Sequence, residues 1–101
     1  MSTTELVCEG GVCTLIMKDG GAFNADSLAA FCAALDTVLA REDAEVLLIT
    51  GDGKNFSQGL DLEYLGGIGA GDPDAALDFV WDCMRMVGRL LCYPLPVVSL
   101  V

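Results

Sequence analysis

The chain contains no histidine. That excludes a histidine-based catalytic triad and most catalytic zinc centres, which rely on imidazole ligands. Positive charge is scarce as well. Five Lys and Arg stand against fifteen Asp and Glu, a formal net charge of −10, and the five are scattered at Lys18, Arg41, Lys54, Arg85 and Arg89. Without a basic stripe to follow a phosphate backbone, nucleic acid is not an expected partner. An anionic ligand remains compatible with this charge, because local amides and one or two cations matter more at a site than the total does. Long apolar runs are also missing: Leu90 to Val101 is interrupted by Pro94 and Pro96 and is too short to span a bilayer. Met1 to Glu5 is polar and acidic, unlike a secretory or arginine-rich leader, and the expected setting is soluble and intracellular.

Cys8, Cys13, Cys32, Cys83 and Cys92 are odd in number and include no Cys-x-x-Cys pair. Cys32, Cys83 and Cys92 fall within helical apolar patterns and read as small buried hydrophobes, with a reducing compartment as the default. What the chain has in excess is apolar surface. A hydrophobic fraction of 53% with mean hydropathy +0.55 is high for 101 residues, and it predicts surface that wants a covering partner.

Glu5 to Glu9 and Val12 to Met17, separated by Gly10-Gly11, read as a β-hairpin. After a turn at Lys18 to Gly21, Asn24 is placed to cap a helix running from Ala25 to about Arg41. Its apolar stripe of Leu28, Phe31, Cys32, Leu35, Val38 and Leu39 is predicted core. Val46 to Thr50 reads as a strand buried on both faces, so strand, helix and strand predict a right-handed crossover to a parallel neighbour. Gly66 to Gly71, with four glycines in six residues, reads as a linker or as a mobile flap. Asp72-Pro73 starts a second helix. Its face of Leu77, Val80, Trp81, Met84, Val87, Gly88 and Leu91 reads as core, with Trp81 and Met84 as candidates for lining an apolar pocket. Pro94 and Pro96 end that helix, and Pro96 to Val101 reads as a buried strand. Neither an internal repeat nor a second domain is visible.

The chemistry is concentrated after the central strand, where Gly51, Gly53 and Gly59 fall within nine residues. Gly51-Asp52-Gly53-Lys54-Asn55-Phe56 lacks the third glycine of a dinucleotide fingerprint, and Asn55 stands where a phosphate-binding P-loop needs Ser or Thr. The alternating oxygen ligands of a calcium loop are absent too. On residue pattern alone, a strand-ending turn and a ligand loop stand level.

The full stretch Thr50-Gly51-Asp52-Gly53-Lys54-Asn55-Phe56-Ser57-Gln58-Gly59-Leu60-Asp61-Leu62 resembles the signature loop of the enoyl-CoA hydratase/isomerase, or crotonase, superfamily. Ser-Gln-Gly-Leu-Asp-Leu followed by Glu63-Tyr64-Leu65 is most similar to the enoyl-CoA delta-isomerase branch. The likeness runs from about Val12 to Val101. It implies an α/β chain, residues 1–101 forming the N-terminal portion of one crotonase-like ββα superhelical domain, with hairpin and strand–helix–strand units on a mainly parallel sheet. The implied activity is isomerisation of a 3-enoyl-CoA to the 2-enoyl-CoA in fatty-acid β-oxidation. Its alternatives are hydration of a 2-enoyl-CoA and a non-catalytic short form that associates with full-length subunits.

In that family two backbone N–H groups stabilise a thioester oxyanion. The resemblance puts one of them at Leu60, aimed by Gly59, with Ser57 and Gln58 in the segment that contacts the adenine end of CoA. Lys54 is a candidate phosphate partner and Asp61 a candidate contact, although Asp61 reads more simply as the cap of a turn at Leu62 to Leu65. The second donor and a catalytic glutamate map onto no residue of this sequence, so the 101-residue chain alone is expected to be inactive. The implied ligand is a fatty acyl-CoA thioester, with coenzyme A entering as part of the substrate and no separate cofactor or metal. Family members assemble as homotrimers or hexamers, and the peroxisome is the first of the implied compartments, ahead of the mitochondrion and cytoplasm.

Overall fold

The computed structural model describes residues 4–18, 21–53, 56–57 and 59–100. Strand β1 (Thr4–Glu9) pairs antiparallel with β2 (Val12–Met17) through a two-residue turn, with Glu9 opposite Val12. Gly10 and Gly11 have φ of 59° and 85°, the left-handed angles that a type I′ hairpin turn demands at both central positions. After the two-residue strand β3 (Ala22–Phe23), Asn24 caps helix α1 (Ala25–Ala40) with a reciprocal box. Ser27 N–H donates to Asn24 Oδ1 at 3.0 Å, and Asn24 N–H donates to Ser27 Oγ at 2.8 Å.

The chain then enters β4 (Val46–Gly51), which runs parallel to β2, and β6 (Val97–Leu100) joins β4, also in parallel. The sheet order is β1-β2-β4-β6, so parallel pairing dominates as the sequence predicts. Between these strands come β5 (Gly59–Leu60), α2 (Leu62–Gly71) and α3 (Pro73–Leu91).

Helix α1 closes one face of the sheet. Phe31, Leu35 and Val38 meet Cys13, Leu15 and Leu47, all six at most 2% exposed. Burying each large side chain of this set stabilises the fold by about 1.5–3 kcal/mol before entropy is counted. Tyr93 ties the far end of the chain to this layer, its buried hydroxyl donating to the Leu35 carbonyl at 2.7 Å.

Five sequence expectations are corrected. Gly66 to Gly71 is helix, the C-terminal part of α2, held by the Asp61 cap and by packing on α3, where Tyr64 and Phe79 meet edge to face at 5.1 Å. On α3 the buried side chains are Phe79, Cys83 and Met86, whereas Leu77, Trp81, Met84, Val87 and Leu91 are exposed; the helix carries two apolar stripes and packs with the other one. Strand β6 is an exposed edge, with Val98 and Leu100 about half accessible, and β4 buries only Leu47 and Ile49 fully. Of the helical cysteines, Cys83 is buried, Cys32 half-buried, and Cys92, at the C-cap of α3, exposed.

Burial also makes the fold alkali-sensitive. Desolvation, followed by the hydrogen bond with Cys8, pushes the Cys13 thiol from 9.0 up to about 11, and desolvation raises the Tyr93 phenol above 10.0. Both folded values lie above the unfolded ones, so the contribution is fully present below pH 9 and is lost as pH rises through about 11. Melting under reducing conditions should show a midpoint that falls over this window, and Cys13→Ala should flatten the fall. A Cys13→Ala profile parallel to wild type would contradict this origin.

Candidate functional site

The signature loop leaves the sheet where Asp52 N–H donates to the Met17 carbonyl at 3.0 Å, and it returns to the molecule at Gly21. There Ser57 is the hinge pin. Its Oγ donates to the Gly21 carbonyl at 2.7 Å and accepts from Gly59 N–H at 3.1 Å. Gly59 and Leu60 then lie parallel to Ala22 and Phe23 as a two-stranded ribbon separate from the main sheet. The ribbon is anchored from below by Phe23, whose ring meets Phe31 of α1 edge to face at 5.6 Å.

The ribbon orients one backbone donor. Asp61 N–H donates to the Phe23 carbonyl at 2.9 Å. N–H groups alternate sides along an extended strand, so the Leu60 N–H, one residue earlier, is turned away from β3. On the same ribbon Gly59 and Leu60 border an apolar cavity of ≈ 280 Å³, whose walls include Phe23, Cys83, Met84 and Val87. A second hollow of ≈ 150 Å³ continues past Phe56 and Ser57 towards Leu90. Two larger ones, ≈ 410 and ≈ 440 Å³, are lined by neither Gly59 nor Leu60.

Gly59 has φ 76°, and a Cβ there would meet nothing within 4 Å. The requirement for glycine is therefore purely conformational. Gly21 differs: besides its φ of 66°, a Cβ there would stand only 3.0 Å from the Phe56 carbonyl oxygen and the Ser57 Cα.

Asp61 is the N-cap of α2, its carboxylate accepting from Tyr64 N–H at 3.1 Å. The helix it starts runs for ten residues rather than the single turn predicted. Glu63 is exposed on the first turn. Lys54 and Gln58 lie outside the described residues. Trp81 is half exposed and lines none of these cavities, while Met84, its companion candidate, does line the one beside Leu60. The sequence reading missed Cys83, Met86 and Val87 as walls, although Phe79, Cys83 and Met86 stand at i, i+4, i+7 and were legible as a second stripe. Among the described residues, no three Cys, Asp or Glu side chains come together as a metal site, and no helix is long and apolar enough to cross a membrane.

No family model and no curated protein matches the chain. Solved structures do. A probable enoyl-CoA hydratase from Mycobacterium tuberculosis H37Rv is 32% identical with a TM-score of 0.85, over 97% of this chain and 41% of that one. An apo structure of the same Mycobacterium tuberculosis protein, there described as an enoyl-CoA isomerase, is 31% identical with a TM-score of 0.82, over 97% and 41%. An enoyl-CoA hydratase from Shewanella pealeana is 25% identical with a TM-score of 0.87, over 98% and 38%. The chain thus spans about two-fifths of the length of the structures it matches.

The geometry separates two glycine roles. Gly59→Ala should cost about 1–2 kcal/mol, the strain of a left-handed backbone alone. Gly21→Ala should cost clearly more, because a backbone oxygen and a Cα must also move. Urea denaturation of the two variants measures the difference, and equal midpoints would contradict the close packing of the loop on Gly21.

Proposed function

The chain carries the crotonase fold of the enoyl-CoA hydratase/isomerase structures, and from that premise we propose that it supplies the first oxyanion donor and the acyl-CoA loop of an enoyl-CoA isomerase. The reaction is conversion of a 3-enoyl-CoA to the 2-enoyl-CoA in fatty-acid β-oxidation. Removal of a proton from C2 gives a dienolate, and return of a proton at C4 completes the shift. The thioester oxygen is anionic in between and needs donors that are already in place.

The observation that carries this reading is the Leu60 N–H, directed away from β3 by the Asp61–Phe23 hydrogen bond, on a ribbon that borders an apolar cavity. A fixed donor in such surroundings contributes on the order of 3–4 kcal/mol to the transition state. Ser57 holds the loop, Gln58 and Lys54 fall on the stretch that meets CoA, and the apolar wall at Met84 and Val87 takes the acyl chain. The second donor and the glutamate that moves the proton have no counterpart here, so residues 1–101 alone are inactive on this reading. The intact protein is a homotrimer or hexamer, with the peroxisome as the compartment that the resemblance implies.

Hydration of a 2-enoyl-CoA is the second reading, favoured by similar structures from Shewanella pealeana and Thermoplasma volcanium that are described as hydratases. One glutamate beside the carbonyl site of the intact protein fits the isomerase, and two fit the hydratase.

Substitution at Leu60 in the intact protein tests the donor. Leu60→Ala keeps the N–H and should leave kcat within a few-fold, whereas Leu60→Pro removes it and should lower kcat by about two to three orders of magnitude. Gly59→Val, which resists the 76° φ, should be nearly inactive as well. A Leu60→Pro enzyme that is folded by circular dichroism and turns over 3-hexenoyl-CoA normally would overturn the assignment.

A further inference from the structure

The hairpin sets two cysteines face to face. Cys8 on β1 is the register partner of Cys13 on β2. The two-residue turn makes Glu9 and Val12 the hydrogen-bonded pair, so by alternation Cys8 and Cys13 occupy the next, non-hydrogen-bonded position. In such pairs the Cα atoms are about 4.5 Å apart and the side chains lean together. That is the short end of the roughly 4.4–6.8 Å range that a disulfide spans. Both side chains lie on the face that α1 covers, and Cys8 is close enough to raise the Cys13 thiol.

We propose that Cys8 and Cys13 form a reversible oxidation site, in which a peroxide converts the dithiol to an intrahairpin disulfide. Exposure fixes the order of events. Cys8 is half-buried and reachable, while Cys13 is 1% exposed. The Cys8 sulfur, as thiolate, attacks one peroxide oxygen; the O–O bond breaks, the departing hydroxide takes up a proton as water, and Cys8 becomes a sulfenic acid. The Cys13 sulfur then attacks the Cys8 sulfur, the S–O bond breaks, and the hydroxyl leaves with the Cys13 proton as a second water. Two electrons pass from the dithiol to the peroxide, and a thiol reductant reverses the step.

Burial first, and then the neighbouring Cys8, disfavour the Cys13 thiolate, only partly offset by the positive charge of Arg41, which leaves Cys8 as the first of the two to meet peroxide. Arg41 is itself clamped by Asp43, through Nε at 3.0 Å and Nη2 at 2.9 Å.

The test is peptide mapping of the chain treated with hydrogen peroxide and quenched with N-ethylmaleimide in denaturant. Trypsin releases the residues up to Lys18 as one peptide that holds Cys8 and Cys13 and no other cysteine. The expected product is that peptide lighter by two hydrogens, without maleimide, and restored to two maleimide-reactive thiols by dithiothreitol. Cys8→Ser should abolish the link and leave Cys13 a free thiol. Exposed Cys92 serves as the control for peroxide dose. Three outcomes would overturn the proposal. The peptide could carry two maleimides at a dose that oxidises Cys92; Cys8 could go on to sulfinic acid with Cys13 still free; or the link could form as fast in guanidinium as in the folded chain, which would deny the register any part in it.

Discussion

The hydrogen bond from Asp61 N–H to the Phe23 carbonyl, 2.9 Å long, is the constraint on which the functional reading depends. It closes a ribbon only two residues wide, and in doing so it decides which side of the chain each neighbouring amide faces. A donor that must meet developing charge cannot also be spent inside a ladder. The ribbon satisfies this by using the amides on either side of Leu60. Gly59 donates to Ser57 Oγ and Asp61 donates to Phe23, so the amide between them is the one that the proposed function assigns to the ligand.

The rest of the site protects that arrangement. Phe23 is fixed by its contact with Phe31, so the ribbon inherits the rigidity of α1 and of the core beneath it. A carboxylate adjacent to an oxyanion donor would oppose charge build-up if it faced the same way. Asp61 instead engages Tyr64 N–H at the start of α2, where the helix terminus favours a negative group. Cys83, Met84 and Val87 of α3 give the cavity beside Leu60 apolar walls.

Elements with a local cause were legible in the sequence. The hairpin follows from Gly10-Gly11, the start of α1 from Asn24, and the start of α3 from Asp72 and Pro73. Elements caused by tertiary context were not. Four glycines in Gly66 to Gly71 argue against a helix by propensity, yet a cap at one end and packing on α3 outweigh about 1 kcal/mol for each. On α3, both the Leu77–Trp81–Met84 stripe and the Phe79–Cys83–Met86 stripe satisfy helical spacing, and periodicity alone cannot say which of them meets α1 and α2. Ribbon strands of two residues are shorter than any period. The site was therefore legible as a loop with a signature, while its geometry was not.

The most direct measurement is the amide proton shift of Leu60 in uniformly 15N-labelled chain, titrated with a saturated acyl-CoA thioester. The account predicts that the Leu60 amide moves downfield as its N–H engages the thioester oxygen, while the amides of Leu15 and Leu47 in the core stay in place. A titration in which Leu60 does not move while other loop amides report binding would contradict the account, because the acyl group would then sit without the donor that the ribbon is built to present.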